Sequence, residues 1–161
     1  MNIKIIGNIP QYHSAGAAGF DIPVISVISQ TQAYEYFNAS VQRANRGRSE
    51  NDQVLAVVMP QESVVFGTGI RLGIPDGMAI DIKPRSGWLR LGLFCEGTID
   101  SDYTGEICVI AWNISERDIL VKHYDRIAQG LLRQAIRIDF IQVDNLDKTE
   151  RGSNGFGSTG R

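Results

Sequence analysis

The chain has 161 residues, 43% of them hydrophobic and 21% charged, which fits one domain whose core needs neither metal nor disulfide staples. Sixteen basic and eighteen acidic residues leave a formal charge of −2. That balance excludes a broad nucleic-acid or membrane surface while leaving room for a local basic pocket. Cys95 and Cys108 are the two cysteines, too few for a zinc site or a disulfide-rich scaffold. They form one disulfide or stay a reduced pair, as a cytoplasmic chain would keep them. No apolar run reaches the roughly 20 residues of a membrane span, and the opening residues carry no secretory apolar stretch. The expectation is a soluble, intracellular, cytoplasmic protein with no membrane partner and no direct nucleic-acid binding.

Short β-rich runs dominate the chain: Ile3–Ile6, Ile22–Ile28, Val54–Met59, Met78–Lys83, Glu106–Asn113 and Ile136–Val143. Turn signals separate them at Pro75-Asp76-Gly77, at Pro84-Arg85-Ser86-Gly87 and around Gly97. Many short strands so punctuated predict a mainly β sandwich or barrel rather than alternating β/α units. One stretch departs from this. Tyr34, Phe37, Val41 and Ala44 recur at helical spacing, Ser29 and Gln32 are placed as a capping box, and Gly47 is a stop. A helix inserted over 30–52 either covers the sheet or binds a partner. The domain spans 1–150, and residues 151–161 form a glycine-rich arm that alone would be flexible.

Three groups of residues carry possible chemistry. In the arm, glycine N–H groups, the Ser158 and Thr159 hydroxyls and the Arg151 guanidinium together suit phosphate, and Phe156 could stack on a base. The Lys-Ser/Thr ending of a P-loop is missing, so that reading is rejected. In Gly97-Thr98-Ile99-Asp100-Ser101-Asp102-Tyr103-Thr104-Gly105 a carboxylate could hold an attacking water and a tyrosine could pack on a sugar; turn capping is the plainer alternative. Arg85 and Ser86 offer a cation and a hydroxyl together, or simply a turn. His13 and His123 have no ligand-like spacing.

Taken in order, Ala18-Gly19-Phe20-Asp21-Ile22, Pro84–Gly87, Gly97–Gly105, Arg126-Ile127-Ala128-Gln129 and Arg151–Gly160 resemble the five motifs of the trimeric dUTPase family. The resemblance covers the whole chain. It implies a jelly-roll-like (β-clip) subunit, a homotrimer with active sites shared between subunits, and a C-terminal arm closing over a neighbour's pocket. The implied reaction is hydrolysis of dUTP to dUMP and pyrophosphate, which keeps uracil out of DNA and supplies dUMP for dTMP synthesis. By the same resemblance Asp100 activates water against the α-phosphorus, Tyr103 packs on the deoxyribose, and backbone near Gly97, Ile99 and Cys108 reads uracil. Arg85, Ser86, Gly87 and Gln129 face the phosphates. Arg151, Gly157, Ser158 and Thr159 hold the γ-phosphate end, and Phe156 covers the base. Mg²⁺ rides on the triphosphate without a direct protein ligand; Asp21 either organises the site or reaches the ion through water.

Two departures matter. The segment Trp88–Thr98 is shorter than the family's base-binding hairpin, and Arg90-Leu91-Gly92-Leu93 resembles the sister dCTP deaminases. Where that family has a glutamate as deamination base, this chain has Ile110, which cannot shuttle protons. A dCTP deaminase, or a bifunctional deaminase–dUTPase, is therefore the second reading. The third is a nucleotide-responsive regulatory protein that meets a protein partner through the insertion at 30–52.

Overall fold

The computed structural model describes residues 2–29, 34–49 and 52–153. The fold is mainly β and jelly-roll-like, with every strand pairing antiparallel. One four-stranded sheet has the order β2 (Phe20–Pro23), β12 (Arg126–Gln134), β7 (Met78–Pro84), β9 (Gly97–Asp100). The other has the order β3 (Ser26–Ser29), β5 (Ser63–Gly67), β10 (Cys108–Asn113), β8 (Leu93–Cys95). Two ribbons complete the fold, β1 (Lys4–Ile6) with β6 (Arg71–Gly73) and β4 (Val54–Val58) with β11 (Ile119–Lys122). Alternation builds the core. In β10, Val109 and Ala111 point inward with Asn113, while Ile110 and Trp112 face out. They meet Phe66, Ile80, Ile82, Ile22 and Ile127 in one apolar cluster.

Several expected elements differ in detail. The run Ile22–Ile28 divides into β2 and β3, which lie in different sheets. At the division Val24 N–H donates to Asp125 C=O and Ile25 N–H to Gly67 C=O, so the chain passes from one sheet to the other. Trp88–Thr98 is no hairpin: a short helix α2 (Ser86–Leu91) follows Arg85, then β8. β9 and β10 likewise pair in different sheets, which makes residues 101–107 an arch between sheets. Ile136–Val143 has strand alternation but pairs with no strand among the described residues. Its apolar side chains project outward, Phe140 being 90% exposed.

The inserted helix is present as α1 (Tyr34–Asn45). Gly47 follows with φ +78°, the left-handed stop that the sequence predicts. Gln32, half of the expected capping box, lies outside the described residues, as do the side chains of Tyr34 and Phe37. Asn45 clasps Val54 at the start of β4, donating through Nδ2 to its C=O at 3.0 Å and accepting its N–H at 2.5 Å. Arg48 caps the Ala44 C=O at 2.6 Å and pairs with Asp52, which also pairs with Lys122 on β11. No described helix is long and apolar enough to cross a membrane.

Both cysteines are free thiols. Cys95 stands opposite Ala111, three residues from Cys108, or roughly 10 Å along the strand, beyond disulfide reach. Burial, helped by the Glu96 carboxylate, pushes the Cys95 thiol up to about 11.

Asn113 is the one fully buried side-chain amide among the described residues. Asn113 Nδ2 donates to Val58 C=O at 2.8 Å and Arg117 C=O at 2.7 Å, while its Oδ1 accepts the Ser115 N–H at 2.9 Å. Asn113→Ala strands these groups in the interior. Denaturant unfolding should show a loss of about 3 kcal/mol.

Candidate active site

Three of the ordered motifs meet at one end of the β2-β12-β7-β9 sheet. Asp21 on β2 stands opposite Gln129 on β12, and its side chain is 9% exposed. One carboxylate oxygen forms an ion pair with Arg85 Nε at 2.9 Å, and the other accepts a hydrogen bond from Arg126 Nη1 at 3.1 Å. Arg85 is further tied by its own N–H to Ile127 C=O at 3.1 Å and by Nη1 to Arg126 C=O at 3.3 Å. Gln129 Nε2 donates to Pro84 C=O at 3.3 Å. Gly19 makes room for that side chain, since a Cβ there would lie 2.9 Å from Gln129 Oε1. Beside this cluster opens a cavity of about 400 Å³ lined by Arg85, Ser86, Gly87, Trp88, Arg90 and Leu91. A guanidinium, a hydroxyl and the first amides of α2 converge there, a donor set for anionic oxygens.

The Gly97–Gly105 motif lies elsewhere. Asp100 is exposed at the end of β9, opposite Ala79 at the start of β7. Tyr103 N–H turns back to Asp100 C=O at 3.2 Å, and its Oη donates to Glu106 C=O at 2.8 Å. The ring lies against Gly105, where a Cβ would sit 2.6 Å from Cζ; only glycine admits it. A cavity of about 270 Å³ opens between Ile99, Asp100, Tyr103, Cys108 and Ile110, small for a ligand pocket. Ile110, 58% exposed, stands in its wall. On its other side Asp100 borders a second cavity, of about 320 Å³, with Asp102, Gly77 and Arg137.

Polar ties across the outer face fix β9 on β7. Thr98 Oγ1 donates to Asp81 Oδ1 at 2.9 Å, Arg133 Nε to Asp81 Oδ2 at 2.8 Å, and Lys83 pairs with Glu96. Partial burial works against the Asp81 charge, but the bonds from Arg133 and Thr98 outweigh it and hold the carboxyl below its ordinary range. The hydrogen bond to Glu96 holds the Lys83 ammonium above its own.

A family model described as dUTPase matches residues 52–160. A deoxyuridine 5'-triphosphate nucleotidohydrolase of Caulobacter vibrioides is 36% identical, over 94% of this chain and 85% of its own. The chain belongs to the dUTPase family. A second relative of the same description, from Finegoldia magna, is 35% identical over 99% of both chains. Among solved structures, a mutant dUTPase of Staphylococcus bacteriophage 80alpha with dUpNHpp superposes with a TM-score of 0.73 over 99% of both chains, at 19% identity, which bears on the fold alone. The family match begins where the inserted helix and its loop end, so the Asp21 motif lies on the far side of the insertion.

The structure therefore groups Asp21, Arg85, Ser86, Gly87 and Gln129 at one place, and Ile99, Asp100, Tyr103 and Cys108 at another, while Gly97 stands at the opposite end of β9, across from Ile82. Arg151 is the last site residue described, in a bend near the end of the described chain. Phe156, Gly157, Ser158 and Thr159 lie outside the described residues. Sequence reasoning gave Arg126 and Glu106 no role. Arg126 was legible as part of its motif, whereas Glu106 finds its partner Gly69 across 37 residues.

A buried carboxylate facing two cations should matter more than one on a solvated face. Asp21→Asn should cost about 2 kcal/mol in denaturant unfolding. Asp81→Asn, which removes a more exposed carboxylate facing one arginine, should cost less than about 1 kcal/mol.

Proposed function

We propose that this dUTPase-family chain hydrolyses dUTP to dUMP and pyrophosphate at sites assembled between copies in a homotrimer. One observation carries the shared site. Asp100 faces Ala79 at one end of β7, while Arg85 and Ser86 follow Pro84 at the other. Five strand residues separate them, roughly 17 Å. An α-phosphorus held by Ser86 cannot also lie within a water's reach of the same chain's Asp100. A neighbouring copy supplies the missing half.

In this reading the Asp100 carboxylate orients a water and accepts its proton as the oxygen attacks the α-phosphorus in line. The bond to the bridging oxygen breaks, and pyrophosphate leaves. Arg85, Ser86, Gly87 and Gln129 of the adjoining copy hold the phosphates and offset the charge that moves onto them. Asp21, with both oxygens engaged by arginines, organises Arg85 and Arg126. Tyr103 packs on the deoxyribose and leaves no space for a 2'-hydroxyl. β9 is the edge strand of its sheet, so part of the backbone around Gly97 and Ile99 is free to read the uracil edge together with Cys108. Arg151, Gly157, Ser158 and Thr159 engage the γ-phosphate end, and Phe156 covers the base, as the arm excludes water.

Among the described residues no three carboxylate, imidazole or thiol groups converge to cage a metal. In this reading the triphosphate's own oxygens, the hard donors that Mg²⁺ prefers, carry the ion. Bound there, the ion would neutralise phosphate charge. A solved dUTPase of Staphylococcus aureus phage phi11 is reported with a structural Mg(II) ion. The clasp of Asn45 on Val54 and the Asp52 pairs support α1 as a cover on β4 and β11.

Asp100→Asn should cut kcat at least about a hundredfold while dUTP binding persists. Wild-type turnover by this variant would remove Asp100 from the mechanism. Uracil nucleotides formed from dCTP by the parent chain would instead favour the deaminase reading.

A further inference from the structure

The arch that carries Tyr103 is fastened at its far end by a residue that the proposed reaction does not use. Glu106 is half-buried between the arch and β10. Its Oε1 accepts the Gly69 N–H at 2.8 Å, from the turn between β5 and β6. That turn is shaped around the carboxylate: a Cβ on Gly67 would lie 2.9 Å from the same oxygen. Beside it Thr68 Oγ1 donates to Ile107 C=O at 2.7 Å, and Ile107 N–H donates to Ile70 C=O at 2.8 Å. Among the described residues no lysine or arginine pairs with Glu106. Its charge instead strengthens the one bond to the backbone amide.

On the other side, the Glu106 C=O accepts Tyr103 Oη at 2.8 Å and Cys108 Sγ at 3.5 Å. The tyrosine ring is 46% exposed and covers a glycine, so apolar packing alone does not fix its direction. The hydroxyl bond does, and its acceptor is part of the residue that the β5–β6 turn holds. We infer that Glu106 is a positioning residue for substrate selection: by anchoring the arch to Gly69 it fixes the Tyr103 ring, and with it the width of the sugar slot. A loosened ring admits a ribose and holds a deoxyribose less firmly. This inference rests on the reading that Tyr103 packs on the sugar.

The test compares Glu106→Ala, Glu106→Gln, Tyr103→Phe, Tyr103→Ala and the double variant Glu106→Ala/Tyr103→Phe, with kcat and KM measured on dUTP and UTP and thermal midpoints recorded. Glu106→Ala should raise KM for dUTP about tenfold, change kcat far less, and narrow the preference for dUTP over UTP. Glu106→Gln should restore most of this, because its amide oxygen can accept the same N–H. Adding Tyr103→Phe to Glu106→Ala should change KM by less than about twofold, since both act through one tie. Parental constants for Glu106→Ala would overturn the inference. So would a lowered midpoint with unchanged kinetics, or effects that multiply in the double variant. If Tyr103→Ala itself leaves KM for dUTP unchanged, the sugar contact fails first; if it raises KM while Glu106→Ala is silent, only the role of Glu106 fails.

Discussion

β7 sets the geometry on which everything else depends. Its seven residues pair with β12 on one side and β9 on the other, and that double pairing fixes which groups share an end of the sheet. Asp100 is placed at the start of β7 and Arg85 beyond its finish. No side-chain rotamer spans that length, so in the proposed reaction the carboxylate and the phosphate-holding groups must come from different copies. Oligomerisation would then be a condition of catalysis rather than an addition to a working subunit.

At the far end of β7, electrostatics does the organising. Two guanidinium groups near one another repel, and the proposed reaction needs cations held in place before the phosphates arrive. Asp21 resolves this by giving one oxygen to each arginine. Its burial makes the pairs stronger than those on the outer face, where Asp81, Arg133, Lys83 and Glu96 share their charges with solvent. At the near end no such cluster exists among the described residues. There the Tyr103 ring is held by its bond to the Glu106 C=O and by the missing Cβ of Gly105.

Much of this was legible in the sequence where the signal is local. The alternation in Met78–Lys83 and Glu106–Asn113 marked β7 and β10 to within two residues, and Gly47 marked the stop after α1. The ordered motifs named half of the residues that line the two cavities: Arg85, Ser86 and Gly87 in one, Thr98, Ile99, Asp100 and Tyr103 in the other. What failed was pairing. Ile22–Ile28 reads as one strand because the apolar residues run on through the sheet change between Val24 and Ile25. Ile136–Val143 has the alternation of a strand yet no partner within the described chain, because periodicity says nothing about what lies alongside. The Pro84–Gly87 turn hid the start of α2, whose six residues are too few for a periodic signal. The separation of Asp100 from Ser86 is a matter of register between strands, which no local pattern encodes.

The shared site is tested most directly by mixing two inactive subunits. Asp100→Asn lacks the water-activating carboxylate, and Ser86→Glu places a negative charge against the phosphates. Each variant alone should be silent. After co-refolding in equal amounts, sites that take Asp100 from one copy and Ser86 from its neighbour should recover roughly a quarter of wild-type dUTP hydrolysis per trimer. Mixed trimers that stay as inactive as their parents would place both residues in one chain's site and contradict the account.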